Sequence, residues 1–415
     1  MIINLRGQGS NQIKIYNAWL INPFFAYSLV WTVVIFLYAL SPAKINLPIN
    51  QGLLAFFLIT IITSAVCGVF FSKKFQGKVF KVKVPHFSVA LLFAIIALYC
   101  LEFIYSGNIP LLFYLFFNDD IMASDVYMNF GIPTLHVLIV TFSIFYCIYC
   151  FLLFIVTRNL KFLIPSGVCI LYFVLIFSRG ALVFIACALV IIYFAGRPIY
   201  LRHALLIALL AFVAAMLFGI FGNIRSGYAW NDSYAIMDIA KIEGDRYGFF
   251  SPLYWVEEYI VCSFRNLNYN VSLENNITYD TSDLITALVI DFVSKRIVTN
   301  DISFSLVVPA LSTGTMYILP YRAMGYIGMT LNFIIYCLAA LIVACSKMRN
   351  FECKVVCLAL MFGLYVLSPF DNMLWYSGYS FALFIGYIYG YVKINTSRKQ
   401  KPKSNRLRIV LRKPV

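Results

Sequence analysis

Long apolar blocks separated by short polar stretches dominate this chain, and many reach the roughly 17–25 residues that a bilayer-crossing helix needs. Hydrocarbon offers no partner to a backbone N–H or C=O, so such blocks must bond internally and are read as helices. The pattern predicts helices near 18–40, 51–71, 86–104, 133–156, 162–178, 181–196, 203–223, 320–346, 354–370 and 373–392. A membrane β-barrel would instead show alternating segments of about ten residues, and the sequence has none. The fold class expected is an all-α polytopic membrane protein with about ten transmembrane helices. The first twenty residues are polar and include Arg6 and Lys14, and no cleavable leader is expected there.

The apolar pattern lapses twice. The first lapse, 105–132, is an outer loop within the first seven spans, which occupy 1–223. The second, 224–319, separates them from the last three spans in 320–392, and a basic tail fills 393–415. Within the larger gap Leu284–Val293 is apolar enough to be a short helix lying along the membrane surface.

Composition and charge sharpen the picture. Hydrophobic residues make up 62% of the 415 and charged residues 12%, where a soluble domain has about 25% charged. Threading the spans from the N-terminus puts 23 of the 32 Lys and Arg on the N-terminal side, and only Glu352 of the 17 acidic residues joins them. This is the positive-inside distribution, with both termini cytoplasmic and 224–319 a large loop facing away from the cytoplasm. The tail, with nine basic residues and no acidic one, suits anionic lipid headgroups. The net charge of +15 therefore calls for no nucleic-acid partner. Ten of the eleven cysteines lie in or beside apolar blocks and only Cys262 falls in the large loop, so no outer disulfide is expected. Cys147 and Cys150 form a CxxC inside a span, where cysteines act as small packing residues. With three histidines and no clustered Cys/His spacing no zinc site is expected, the lack of a compact acidic motif such as DxD leans against another metal, and no cofactor is expected.

Candidate chemistry gathers at the outer boundary. Arg179, within Ser178-Arg179-Gly180, separates two apolar runs; Arg225 follows the seventh span and Arg322 opens the eighth. Each alone also fits an interface anchor, but three on one face suit bidentate recognition of phosphate oxygens. Arg246 and Arg265 are further candidates within the large loop. Tyr228, Trp230, Tyr234, Tyr247, Tyr254, Trp255 and Tyr259 crowd the front of that loop and suit either an interfacial belt or stacking on sugar faces.

Several short motifs give a resemblance. Glu102-Phe-Ile-Tyr-Ser-Gly-Asn-Ile-Pro-Leu-Leu, then Tyr127, then Phe130-Gly-Ile-Pro-Thr-Leu-His136, resemble the third-to-fourth helix region of bacterial O-antigen polymerases (Wzy). Ser178-Arg-Gly-Ala-Leu, the large loop after the seventh span, and Thr313-Gly-Thr-Met-Tyr-Ile-Leu-Pro-Tyr-Arg-Ala-Met-Gly-Tyr-Ile-Gly are also similar to that family. The family more often has an acidic residue before the glycine of the last motif, where this chain has Met324.

The resemblance implies a GT-C-like glycosyltransferase architecture in the bacterial inner membrane, with its active site facing the periplasm. It implies transfer of a growing glycan from undecaprenyl pyrophosphate onto the terminal sugar of a new lipid-linked repeat unit. The partners implied are that lipid-linked oligosaccharide, membrane lipids, and a flippase and chain-length regulator of the same pathway. Negative charge develops on the departing pyrophosphate, so Arg179, Arg225 and Arg322, then Arg246 and Arg265, are the expected phosphate ligands. The acceptor hydroxyl needs a base, and Glu102, His136, Glu257 and Glu258 all remain open for it, with Asp119 and Asp120 nearby in sequence. An O-antigen ligase would share donor and fold but calls for a histidine in the large outer loop. His86, His136 and His203 all lie elsewhere. A lipid-linked-sugar flippase would have shorter outer loops and charges at mid-span, and a non-catalytic subunit has no positive signal in the sequence.

Overall fold

A computed structural model describes residues 12–117, 129–273, 277–298 and 302–393; at 114–117 and Arg225 it describes the backbone alone. Asp119, Asp120, Tyr127 and the tail beyond Lys393 lie outside the described residues.

The chain is mostly helical. The first group of helices is α1 (Pro23–Leu40), α2 (Gln51–Phe75), α3 (Val89–Ser106), α4 (Pro110–Phe117), α5 (Leu135–Thr157), α6 (Leu163–Leu175), α7 (Arg179–Ala195) and α8 (Leu201–Arg225). Then come α9 (Tyr234–Ala240), α10 (Leu253–Ser272), α11 (Thr281–Leu288), α12 (Asp291–Ile297), α13 (Ile318–Cys345), α14 (Phe351–Val366) and α15 (Ser377–Tyr389). A helix covers each of the ten apolar blocks. Among the described residues six helices (α1, α2, α3, α5, α8 and α13) are long and apolar enough to cross a membrane. The other four, α6, α7, α14 and α15, are shorter.

Local chemistry sets several of these boundaries. Asn22 caps α1 by accepting from the Phe24 and Phe25 N–H groups, with Pro23 at the first helical position. Its amide nitrogen donates to Gly68 O (2.7 Å) and Ser72 Oγ (3.0 Å), so the same side chain ties α1 to α2. Asn50 caps α2 in the same way through the Gly52 and Leu53 N–H groups. The apolar stretch at 284–293 does not form one helix. Asp291 interrupts it, accepting from the Phe292 N–H and from Ser377 N and Oγ, so α12 starts anew beside the N-terminus of α15.

The core is aromatic. Trp31 is fully buried, with its ring 4.4 Å from that of Phe57 and its Nε1 donating to Ser368 Oγ (3.0 Å). Tyr27 and Tyr317 join their hydroxyls at 2.6 Å in the same layer. These three hydroxyls and the Trp31 ring N–H thus find partners, as burial demands.

Two ends emerge from the contacts. At one, strand β1 (Gln12–Lys14) pairs antiparallel with β2 (Val79–Lys81), and Asn17 Nδ2 donates to Phe194 O and Arg197 O. Lys83 Nζ donates there to Asn350 Oδ1, and Asn350 Nδ2 to Tyr389 O. The basic segments Lys73–Lys83, Arg197 and Lys347–Lys354 therefore meet at this basic end. At the other, loop-bearing end, residues 40–50 meet α10 and its approach. Arg246 Nη1 donates to Leu40 O, and Asn268 Oδ1 accepts from the Asn50 N–H.

Most of 226–317 folds onto this second end around α10. Asn266 donates to Leu311 O and Thr313 O, and Asn270 donates to Ser305 O (2.7 Å) and accepts from its N–H (3.0 Å). Helix α13 is broken near its start. Met324 (φ −146°, ψ 22°) and Gly325 (φ 59°, ψ −143°) leave helical geometry, and Asn332 Nδ2 reaches back to Met316 O at 2.7 Å. The positive φ explains a glycine at 325. A Cβ on Gly328 would lie 2.0 Å from Pro320 O, so the two limbs of the break lie close together.

Candidate functional site

Two groups of the expected residues come together, both at the loop-bearing end. The first joins α3, α5 and α6. Glu102, on the last turns of α3, is fully buried and accepts from Tyr172 Oη at 2.5 Å and from His136 Nδ1 at 2.9 Å. An ionised carboxylate only accepts, so in a neutral imidazole paired with it Nδ1 would carry the proton and Nε2 would be left with its lone pair. The His136 side chain is 30% exposed while its Glu102 partner is 0% exposed. The buried acid therefore orients an imidazole that solvent or a substrate can reach.

The surrounding chain holds this pair in place. Gly131, at φ 99°, packs against the imidazole so closely that a Cβ would lie 2.6 Å from Nδ1. Its N–H donates to Ser106 Oγ (2.9 Å). Phe130 meets the His136 ring edge-on at 5.7 Å. Tyr172 stacks on Tyr99 at 4.0 Å, and Tyr99 Oη meets Ser143 Oγ at 2.6 Å. Tyr172 and its stacking partner were not among the expected site residues. Their only sequence signal is a hydroxyl-bearing ring inside an apolar block.

The second group lies on α10. Arg246 Nη2 donates to both Glu257 oxygens, and Tyr247 Oη donates to Oε2 (2.8 Å). One residue on, Glu258 Oε2 lies 2.8 Å from Arg265 Nη2, with the side chains 0% and 2% exposed. Arg265 Nε donates to Asn46 Oδ1 (2.6 Å). The pair lacks hydrogen-bonding alignment, so both Glu258 oxygens and both terminal guanidinium nitrogens stay without hydrogen bonds. Burial pushes the Glu258 carboxyl above the usual range against the opposing pull of the Arg265 charge. Arg265 is thus an internal cation facing a carboxylate, and Arg246 is neutralised at the rim.

Three of the expected arginines remain. Arg179 opens α7, is exposed, and lies over the Phe177 ring at 5.0 Å. It has no ion pair among the described residues. Arg322 precedes the break in α13. Its Nε donates to Ser303 O (3.1 Å) and its carbonyl accepts from the Thr278 N–H (2.9 Å). Arg225 ends α8, and its side chain is outside the described residues.

The aromatic front divides. Tyr254 and Trp255 are buried, and Trp255 Nε1 donates to Asn223 Oδ1 (2.6 Å). Tyr228, Trp230 and Tyr234 remain exposed, with Tyr228 and Tyr234 rings 5.9 Å apart. Among the described residues no group of three or more His, Cys, Asp or Glu side chains is placed to hold a metal ion. No family model matches the chain, and neither a curated protein nor a solved structure matches it.

Proposed function

We propose that this protein is an O-antigen polymerase of the bacterial inner membrane. It transfers a growing glycan from undecaprenyl pyrophosphate to the terminal sugar of a new lipid-linked repeat unit at the periplasmic face. The observation that carries this reading is the His136–Glu102 pair, a partly exposed imidazole oriented by a buried acid within the motif that resembles the family. In the proposed reaction His136 Nε2 takes the proton of the acceptor hydroxyl as that oxygen bonds the donor's anomeric carbon. The bond from that carbon to the pyrophosphate oxygen breaks, and the pyrophosphate leaves with the electron pair. Arg179, exposed and without an ion pair among the described residues, is the first ligand for that charge, with Arg322 and Arg225 as further candidates.

Two other features support the reading. The exposed Tyr228, Trp230 and Tyr234 offer ring faces to sugars at the same end. Helix α8 presents Leu205, Leu209, Val213 and Leu217 outward, an apolar flank along which an isoprenoid can lie. Glu257, Glu258, Arg246 and Arg265 act in this scheme as a scaffold that fixes α10, because each is already engaged within the protein.

The test is complementation of a strain lacking the gene, read as the lipopolysaccharide ladder on a gel. Wild type restores the ladder, and His136→Ala and Arg179→Ala collapse it to core plus one repeat unit. Losing a general base costs about 10²–10⁴ in rate, and losing a charge-stabilising donor about 10²–10³. Bare core in the uncomplemented strain would favour a ligase or flippase, and a normal ladder there would end the O-antigen reading.

A further inference from the structure

The basic end holds a pocket that the proposed chemistry does not use. It measures about 360 Å³, within the roughly 300–1,000 Å³ range of small-molecule sites, and lies where the end of α2, strand β2 and the start of α14 meet. Four lysines line it, Lys74, Lys78, Lys81 and Lys354, and no acidic residue does. Glu352, the nearest carboxylate in sequence, accepts instead from the Lys83 N–H (3.3 Å).

Lys354 makes the pocket distinctive. Its side chain is buried, 7% exposed, yet no carboxylate pairs with it among the described residues. Its Nζ donates to Ser346 O (2.9 Å) and lies 5.3 Å from the Phe75 ring centre. Among the described residues Lys74 Nζ has only a 3.6 Å contact with Cys345 Sγ. A buried ammonium with no counter-charge is costly to keep, and gathering like charges around it raises that cost. An anion in the pocket removes the penalty.

The walls indicate which anion. Phe80 stacks on Phe351 to form an apolar side, and Phe75 forms another. Outside the pocket the exposed apolar residues Val69 and Phe70 of α2 and Leu341 and Ile342 of α13 lead away along the helices. We propose that this pocket binds a phosphate-bearing group, held by Lys354 and the three rim lysines. A lipid headgroup fits it best, its phosphate on the lysines and its chains along the exposed flanks of α2 and α13.

The full chain would be placed in nanodiscs of phosphatidylcholine with a minor fraction of phosphatidylglycerol, and bound lipid counted by native mass spectrometry. Wild type should retain phosphatidylglycerol, and Lys354→Met should retain it about fivefold more weakly, the loss expected for one lysine near an anionic surface. Lys81→Gln, on the exposed rim, should weaken it by a similar factor without disturbing buried packing. Lys295→Gln, at the opposite end, should leave it unchanged. In phosphatidylcholine alone, inorganic phosphate is the second probe. If phosphate raises the melting temperature of wild type but not of the pocket variants, while phosphatidylglycerol is not selected, the site stands with free phosphate as its source. If neither probe distinguishes wild type from Lys354→Met and Lys81→Gln, the proposal is overturned.

Discussion

Helix α8 is apolar from Ala204 to Phe221 and leaves most of those side chains uncovered, whereas α10 carries Glu257, Glu258, Arg265, Asn266, Asn268 and Asn270 and buries all of them. In water both arrangements would be wrong. In a bilayer each has a solvent that suits it. Lipid tails are as apolar as leucine, so α8 needs little protein around it, and it packs chiefly on α9 and α10. Helix α10 lies at the loop-bearing end, where backbone groups of 40–50 and 302–315 supply partners for its amides. Asn268 alone reaches Tyr38 Oη, Leu47 O and Pro48 O and accepts from the Asn50 N–H. Hydropathy therefore reports which solvent a helix meets, and says little about how many neighbours it has.

The comparison is broken most severely at the charged pair of α10. Arg265→Ala leaves Glu258 buried and uncompensated and should cost about 3–5 kcal/mol of stability, read by thermal unfolding in detergent. Replacing both partners, Glu258→Leu with Arg265→Met, should recover most of that loss. A single variant as stable as wild type would mean that the pair is not desolvated.

Next in size is the seam between the two helices. A Cβ on Gly222 would lie 2.6 Å from the Trp255 ring, so Gly222→Ala should cost about 1–3 kcal/mol through overpacking. Limited proteolysis of the 226–252 connection should accelerate with it, and an unchanged rate would place the seam elsewhere.

Acidity sharpens the same comparison. The folded protein holds the Glu258 carboxyl above its ordinary value of 4.5, so the folded state binds its proton more tightly than the unfolded chain does. That contribution is complete below 4.5 and fades as pH rises through the raised value. Wild type should therefore gain stability relative to Glu258→Gln as pH falls from neutrality towards 4.5. The opposite trend in their melting temperatures would refute the direction of the shift.

The smallest effect is expected on the bare face of α8. Leu209 is 58% exposed, so Leu209→Ala should change stability by no more than about 0.5 kcal/mol. A loss of several kcal/mol would show that another chain covers this flank.

What the sequence made legible follows the same division. All ten apolar blocks became helices, because a long run without charge has no other way to satisfy its backbone in lipid. The block expected at 181–196 is the helix Arg179–Ala195, and that at 203–223 is Leu201–Arg225. Helix α10 was not legible. Its buried face includes Glu258, Arg265 and Asn268, so no apolar stripe marks it, and its partners lie two hundred residues away in the α1–α2 loop. The break at Met324–Gly325 was hidden for the opposite reason, because apart from Arg322 both limbs of α13 belong to one largely apolar block. At the candidate site the sequence named Glu102 and His136 separately; that they bond across 34 positions needed the fold. Likewise Arg246 and Arg265, expected as phosphate ligands, face Glu257 and Glu258, an engagement that spacing alone did not reveal.

The way α8 is fastened has a further consequence. Its 25 residues extend about 37 Å, against roughly 30 Å of hydrocarbon in an average bilayer. A helix too long for its membrane tilts or thickens the lipid around it. Gly219 and Gly222 pin the C-terminal half of α8 to Pro252 and Trp255, so the tilt must be taken up at its Leu201 end. Thin membranes will swing that end furthest and thick ones will bring it upright, so bilayer thickness sets the angle at which α8 leaves its seam with α10.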